Sequence, residues 1–283
     1  MYYTIGDATY WYEVHGEGIP LVLLHGFTGS SATWRPLIPY FADTFQLVAV
    51  DLPGHGKTRC TTPRDMETVG EDLATLCRFL GIDSFHLLGY SMGGRTALSF
   101  AIRHPEMIRS LILESASPGL REEEERKQRR KNDEALAEKI IQGGIEEFVN
   151  EWENIPLFQS QKKLPAEVRE RIRRERLEQD AYGLAMSLKY MGTGKQPSYW
   201  EQLSRFAKPV LLICGEEDKK FVQLNEKMNT LFPFSKLKIC EKAGHAIHVE
   251  NPDIFGKLVT EFIFEKEAKH NEEENDDCTM AKG

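Results

Sequence analysis

The sequence predicts an α/β protein with a mostly parallel central sheet, flanking helices and a helical insertion. Three observations carry this reading. Short apolar runs bounded by glycine or proline recur along the 283 residues: PLVLLHG, FQLVAVDLPG, FHLLGYS, RSLILES, KPVLLICG and KLKICEKAG. Their apolar residues are consecutive rather than alternating, which suits strands covered on both faces. After SASPGL at 115–120 the composition turns abruptly to charged, helix-forming residues.

Taken in order, MYYTIGDATYWYEVHG alternates and predicts an antiparallel hairpin at a sheet edge. The six apolar runs then supply the strands, with helical patterns between most of them. The charged stretch from REEEERKQRRKND onward falls between RSLILES and KPVLLICG, which would otherwise be neighbours in the sheet. Its helices should therefore sit above the carboxyl ends of the strands, where open α/β sheets place their ligands, and form a lid. The expected organisation is a core of residues 1–120 and 201–265, a helical lid of residues 121–200 and a tail of residues 266–283. That tail, KEAKHNEEENDDCTMAKG, is acidic and almost without apolar residues, and it is expected to be disordered.

A formal charge of −8 argues against broad nucleic-acid binding, which needs a basic surface to displace phosphate counterions. The N-terminus lacks the positive flank and apolar stretch of a signal peptide, and no segment has the ~20 apolar residues that span a bilayer. A cytoplasmic protein without a membrane partner is expected. Five cysteines, scattered and odd in number, signal neither a disulfide framework nor a zinc site.

The chemistry concentrates in Gly89-Tyr90-Ser91-Met92-Gly93, a GxSxG between a strand pattern and the helical GGRTALSFAIRH. Such a turn raises the serine into a cleft and turns the next backbone N–H toward an oxygen that develops charge. A serine hydroxyl needs a base, and the base needs a carboxylate to hold its tautomer. Asp218, in GEEDKKF, and His245, in EKAGHAIHVENP, follow strand patterns in the chain order Ser, Asp, His. Glu216, Glu217 and Glu114 rival Asp218, and His248 rivals His245. A metal at HAIH is set aside because no cluster of carboxylates or cysteines completes its shell. Phe27, in LVLLHGFTGSSATW, is the candidate for a second oxyanion amide beside Met92, with His25 bracing the loop rather than moving a proton. DLPGHGKT at 51–58 lacks the phosphate-loop spacing and reads as a turn.

LLHGFTGS, DLPGHGKT, GYSMGGR, CGEEDKKF and AGHAIHVENP together resemble the motif set of the α/β-hydrolase fold. With ESASPGL, RRKND and WENIPLF, residues 1–265 are similar to the 2-succinyl-6-hydroxy-2,4-cyclohexadiene-1-carboxylate synthases of menaquinone biosynthesis. The resemblance implies a triad of Ser91, Asp218 and His245, oxyanion amides at Phe27 and Met92, carboxylate-binding Arg95, Arg129 and Arg176, and aromatic contacts from Tyr90 and Trp152. Arg95 lies four residues after Ser91, on nearly the same helix face. A substrate with several carboxylates accounts for arginines, whose planar fork grips each group through paired hydrogen bonds.

The implied reaction is a 2,5-elimination of pyruvate without cofactor or metal, in which His245 draws the proton from Ser91 and Ser91 takes a proton from substrate. The alternatives are a carboxylesterase or carbon–carbon bond hydrolase on the same fold, and a non-catalytic small-molecule receptor. The fold suggests a monomer or weak homo-oligomer.

Overall fold

Two antiparallel strands, β1 (Tyr2–Ile5) and β2 (Ala8–His15), open the chain at one edge of the sheet in the computed structural model. The structure describes residues 1–280, with side chains described through residue 268. There follow β3 (Ile19–Leu24), the short helix α1 (Ile38–Phe41), β4 (Phe45–Val50), the two-residue β5 (Arg59–Cys60), α2 (Met66–Phe79), β6 (Phe85–Tyr90), α3 (Met92–Arg103) and β7 (Ile108–Glu114). The insertion holds α4 (Glu123–Trp152), α5 (Ala166–Leu177) and α6 (Ala181–Met191). The chain then returns to the sheet through β8 (Val210–Gly215), α7 (Lys219–Leu231), β9 (Ser235–Cys240), α8 (Ile247–Glu250) and α9 (Pro252–Met280).

The sheet order is β1-β2-β4-β3-β6-β7-β8-β9, with β5 paired to β2. From β4 to β9 every pairing is parallel, and β1, β2 and β5 pair antiparallel, as the alternating N-terminus predicts. Side chains of the central strands are buried on both faces. Val22, Leu24, Val48, Val50 and Leu87 pack in the core on the α2 and α3 side, and Leu21, Leu23, Leu47, Ala49 and Leu88 pack with Phe255 and Val259 of α9 on the other. This is why the runs read as continuously apolar. Strand β9 differs: Lys236 and Lys238 are exposed along this edge, where charge discourages pairing with another chain.

Strands β7 and β8 are neighbours, and the 95 residues between them hold the helical insertion. It has its own apolar cluster, in which Ala137, Ile140, Phe148 and Val149 of α4 meet Leu184, Ala185 and Leu188 of α6. Helix α4 is broken at Gly144 (φ 76°, ψ 177°), so its two halves point in different directions.

The tail requires a correction. Residues 266–280, expected to be disordered, continue α9, and residues 281–283 lie outside the described residues. The cause is the apolar face just before them: Phe255, Val259, Phe262 and Ile263 are buried, and neither proline nor glycine interrupts the chain from 257 to 280. Glu267 then fastens the helix to the sheet, accepting from Arg109 at 3.0 Å and lying 3.1 Å from His86 Nε2. Charge density alone overlooked a helix that was already nucleated. Among the described residues no helix is long and apolar enough to cross a membrane. Cys77, Cys214 and Cys240 are buried free thiols and Cys60 is partly buried; the side chain of Cys278 lies outside the described residues.

Candidate active site

Ser91 stands between β6 and α3 with φ 51° and ψ −105°, a conformation that L-residues rarely adopt. Its N–H donates to Glu114 O at 2.8 Å, so the end of β7 holds the turn. The turn is possible because α3 starts almost in contact with β3. A Cβ on Gly93 would lie 2.1 Å from Leu24 O and 2.5 Å from His25 O, both backbone atoms. Small residues there let the helix approach the sheet and lift the serine.

His245 comes to Ser91 from the loop after β9, and Asp218 from the loop after β8. Asp218 Oδ2 accepts from His245 Nδ1 at 2.7 Å. The Ser91 hydroxyl donates to His245 Nε2 at 3.0 Å. Asp218 is held in turn, since it caps α7 and its Oδ1 accepts from Phe221 N–H at 3.3 Å. With the imidazole proton committed to Asp218, the Nε2 lone pair faces the serine. The structure thus brings together the three residues that the sequence selects.

Their rivals are occupied elsewhere. Glu114 is fully buried and accepts from the N–H and Nδ1 of His248, at 3.0 and 2.8 Å. Glu217 pairs with Lys163 at 2.8 Å, and Glu216 accepts from Lys242 N–H at 3.4 Å. His25 braces its loop: Leu52 N–H donates to Nε2 at 2.9 Å, so Nδ1–H donates to Gly26 O at 2.8 Å. Burial also lowers its basicity, which keeps it neutral. In DLPGHGKT, Asp51 accepts from Ser31 N–H and Lys57 N–H, so its carboxylate organises the turn.

Phe27 and Met92 both line the cavity that holds Ser91, and among the described residues neither backbone N–H has an acceptor. Two free amides beside a serine suit an oxygen that gains charge. The cavity measures about 300 Å³ and lies between the strand ends and the insertion, which contributes Arg129, Trp152, Phe158 and Leu188 to its wall. Trp152 lies 5.5 Å from the Phe27 ring, and its buried Nε1 has no partner among the described residues. Tyr90 lies between the two histidine rings, 5.5 Å from His245 and 4.6 Å from His248.

Arg95 also lines the cavity. Its Nη1 donates to Met191 O at 2.9 Å and to Gln196 Oε1 at 3.3 Å, and no carboxylate among the described residues pairs with it. Burial, and then the neighbouring Arg129 cation, press its basicity down. A cation so placed is stabilised by any anion that enters. Arg129 donates to Asp133 Oδ1 at 2.7 Å and keeps 42% of its side chain exposed. Its neighbours Arg126 and Arg130 both pair with Glu123, Arg173 pairs with Glu153, and none of the three lines the cavity around Ser91.

Arg176 is placed differently from the others. It is buried, stacks on the Phe158 ring at 4.6 Å and donates to Gln161 at 3.2 Å. It borders a second cavity of about 390 Å³ behind Phe158 and is not in the wall around Ser91. Phe158 alone, among aromatic residues, lines both cavities. Lys220 and Phe221, not among the residues singled out from the sequence, also line the wall, and Phe221 packs 4.8 Å from the His245 ring. The signal was present in GEEDKKF, where both follow Asp218 on the first turn of α7.

A family model of the alpha/beta hydrolase fold matches residues 19–252. A Bacillus subtilis (strain 168) protein with the provisional name 2-succinyl-6-hydroxy-2,4-cyclohexadiene-1-carboxylate synthase is 46% identical over 92% of this chain and 97% of its own. The Pectobacterium atrosepticum protein of that name is 31% identical, over 88% of this chain and 97% of its own. Among solved structures, that of MenH from S. aureus superposes with a TM-score of 0.87 at 39% identity, over 93% of this chain and all of that one.

Proposed function

The chain belongs to the 2-succinyl-6-hydroxy-2,4-cyclohexadiene-1-carboxylate synthases, within the alpha/beta hydrolase fold family, and from that premise we propose how its residues carry out the elimination. The enzyme is a carbon–oxygen lyase of menaquinone biosynthesis. Its substrate, 2-succinyl-5-enolpyruvyl-6-hydroxy-3-cyclohexene-1-carboxylate, carries an acidic C–H next to the succinyl ketone and an enolpyruvyl ether across the ring alkene. His245 Nε2 takes the Ser91 proton, and Ser91 Oγ removes the ring proton beside the ketone. The electron pair moves through the alkene, the C–O bond to enolpyruvyl breaks, and the departing oxygen receives the proton held by His245. Enolpyruvate then becomes pyruvate. Asp218 stabilises the imidazolium throughout.

As the ring proton leaves, charge spreads to the ketone oxygen, which the Phe27 and Met92 amides receive. Each such donor contributes about 3 kcal/mol to the transition state, or roughly a hundredfold in rate. Arg95 and Arg129 hold substrate carboxylates at the cavity wall. Arg176 holds one only where Phe158 swings aside or the carboxylate reaches past it. Tyr90 and Trp152 offer a ring face and an N–H to the remainder of the substrate. The work belongs to a cytoplasmic enzyme acting on a small soluble anion.

The observation that carries this reading is Arg95, a cation without a carboxylate partner among the described residues, in the same cavity as a serine whose hydroxyl is already bonded to its base. Supplying the enolpyruvyl substrate and following pyruvate through lactate dehydrogenase should show stoichiometric release, with no acyl group retained on Ser91. A rapid burst with 4-nitrophenyl acetate and no pyruvate would instead identify a carboxylesterase.

A further inference from the structure

One carboxylate brackets the candidate base. Glu250 Oε2 accepts from Gly244 N–H at 2.6 Å, and Oε1 accepts from Ala246 N–H at 3.4 Å, so the amides before and after His245 converge on the same side chain. A third donor comes from far along the chain: Ser160 Oγ–H bonds Glu250 Oε1 at 2.9 Å, from the 3-10 turn Ser160–Lys163 of the insertion. The two residues are separated by 90 positions. No cation among the described residues pairs with Glu250, so hydrogen bonds alone satisfy it.

The contact is close enough to need a missing side chain. A Cβ on Gly244 would lie 2.1 Å from Ser160 Oγ and 3.2 Å from Glu250 Oε1. The same short stretch carries Phe158, whose ring lies 6.3 Å from His245 and 5.8 Å from Trp152 in the cavity wall. Any movement of the insertion that shifts Phe158 therefore pulls on Ser160, and through Glu250 on both amides that flank His245.

We propose that Glu250 is a positioning residue that sets the His245 turn for proton transfer with Ser91, and that Ser160 keys this setting to the insertion. Proton transfer depends steeply on placement, because a displacement of an ångström or less separates a bonded pair from an idle one. The proposal rests on Ser91 and His245 being a working pair, and not on the identity of the substrate.

A small sulfonyl fluoride, phenylmethylsulfonyl fluoride, labels a serine only as fast as its base activates it, so it reads the Ser91–His245 geometry without the natural substrate. Labelling of the unaltered protein tests the working pair by itself. Ser160→Ala should slow labelling and kcat by the same factor, about tenfold as for one hydrogen bond to a charged group, with KM within about twofold of the unaltered value. Ser160→Thr, which keeps the hydroxyl, should restore both rates. Glu250→Ala should be slower still where it folds, and Ser160→Ala decides the matter where it does not. If the unaltered protein is labelled and Ser160→Ala is labelled equally fast, whatever its melting temperature, Glu250 and Ser160 only support the fold and the proposal fails.

Discussion

Arg95 concentrates at one residue the tension between stability and function. A guanidinium in the wall of a cavity, bonded to a carbonyl, an amide oxygen and the Met66 sulfur but to no carboxylate among the described residues, is poorly compensated in the empty protein. In the proposed reading its compensation comes from a substrate carboxylate. Arg95→Ala should accordingly lower kcat/KM for pyruvate release by about a hundredfold, the equivalent of about 3 kcal/mol of a charge-assisted contact, while unfolding free energy stays equal or rises. Arg95→Lys should recover little of the loss, because an ammonium cannot reproduce the paired geometry. Kinetics near the unaltered values for Arg95→Ala would remove the main physical reason for assigning an anionic substrate to this cavity. At this scale the sequence was informative: position four after the serine put the cation on the right face of α3. It could not say whether a carboxylate elsewhere already neutralised that cation.

The turn between β6 and α3 shows the same division at the scale of an element. GYSMGG marks a tight strand-to-helix turn, and the reason for Gly93 appears only when β3 is beside it. Gly93→Ala places a methyl 2.1 Å from a carbonyl oxygen that the parallel β3–β6 pairing holds in place. We expect a loss of about 3 kcal/mol in urea denaturation, with the damage at the β3–α3 contact; a midpoint within error of the unaltered protein would mean that helix and strand can part freely. The insertion was legible as helix and as an interruption of the sheet. Its break at Gly144 and the burial of Phe148 against α6 were not, because the charge that dominates the local sequence lies on the face away from that contact.

Across the whole molecule, His86 joins three elements. From the start of β6 its Nδ1 meets Ser110 Oγ of β7 at 2.7 Å, and its Nε2 meets Glu267 of α9 at 3.1 Å, with Arg109 on the same carboxylate. Burial lowers its pKa to about 4, although Glu267 pulls the other way. The folded value lies below the unfolded one of about 6.5, so the unfolded chain takes up the proton first. The stability linked to His86 is thus present above pH 6.5 and is lost as pH falls toward 4, by about 3 kcal/mol. Urea denaturation across that window should give a shallower acid slope for His86→Gln than for the unaltered protein. Equal slopes would show that other groups carry the acid sensitivity. The sequence placed His86 in a strand and said nothing of its partners, because Glu267 lies 181 residues away, in a segment whose charge read as disorder.

By itself the sequence determined the fold class and singled out the three side chains, Ser91, Asp218 and His245, that meet in the cavity. Both rest on local chain chemistry: consecutive apolar residues demand cover on two faces, and glycines around a serine at a strand end permit one kind of turn. The same holds for Asp218 and His245, which follow strand patterns and so arrive at the same carboxyl end of the parallel strands. Tertiary structure decided what depends on meetings across the chain. It left Arg95 without a carboxylate among the described residues, set Arg176 behind Phe158, chose Asp218 over its acidic neighbours by occupying them, and joined Ser160 to Glu250 beside His245. Hydrogen bonds and ion pairs form between whatever the packing brings within about 3 Å, and no local pattern records that distance.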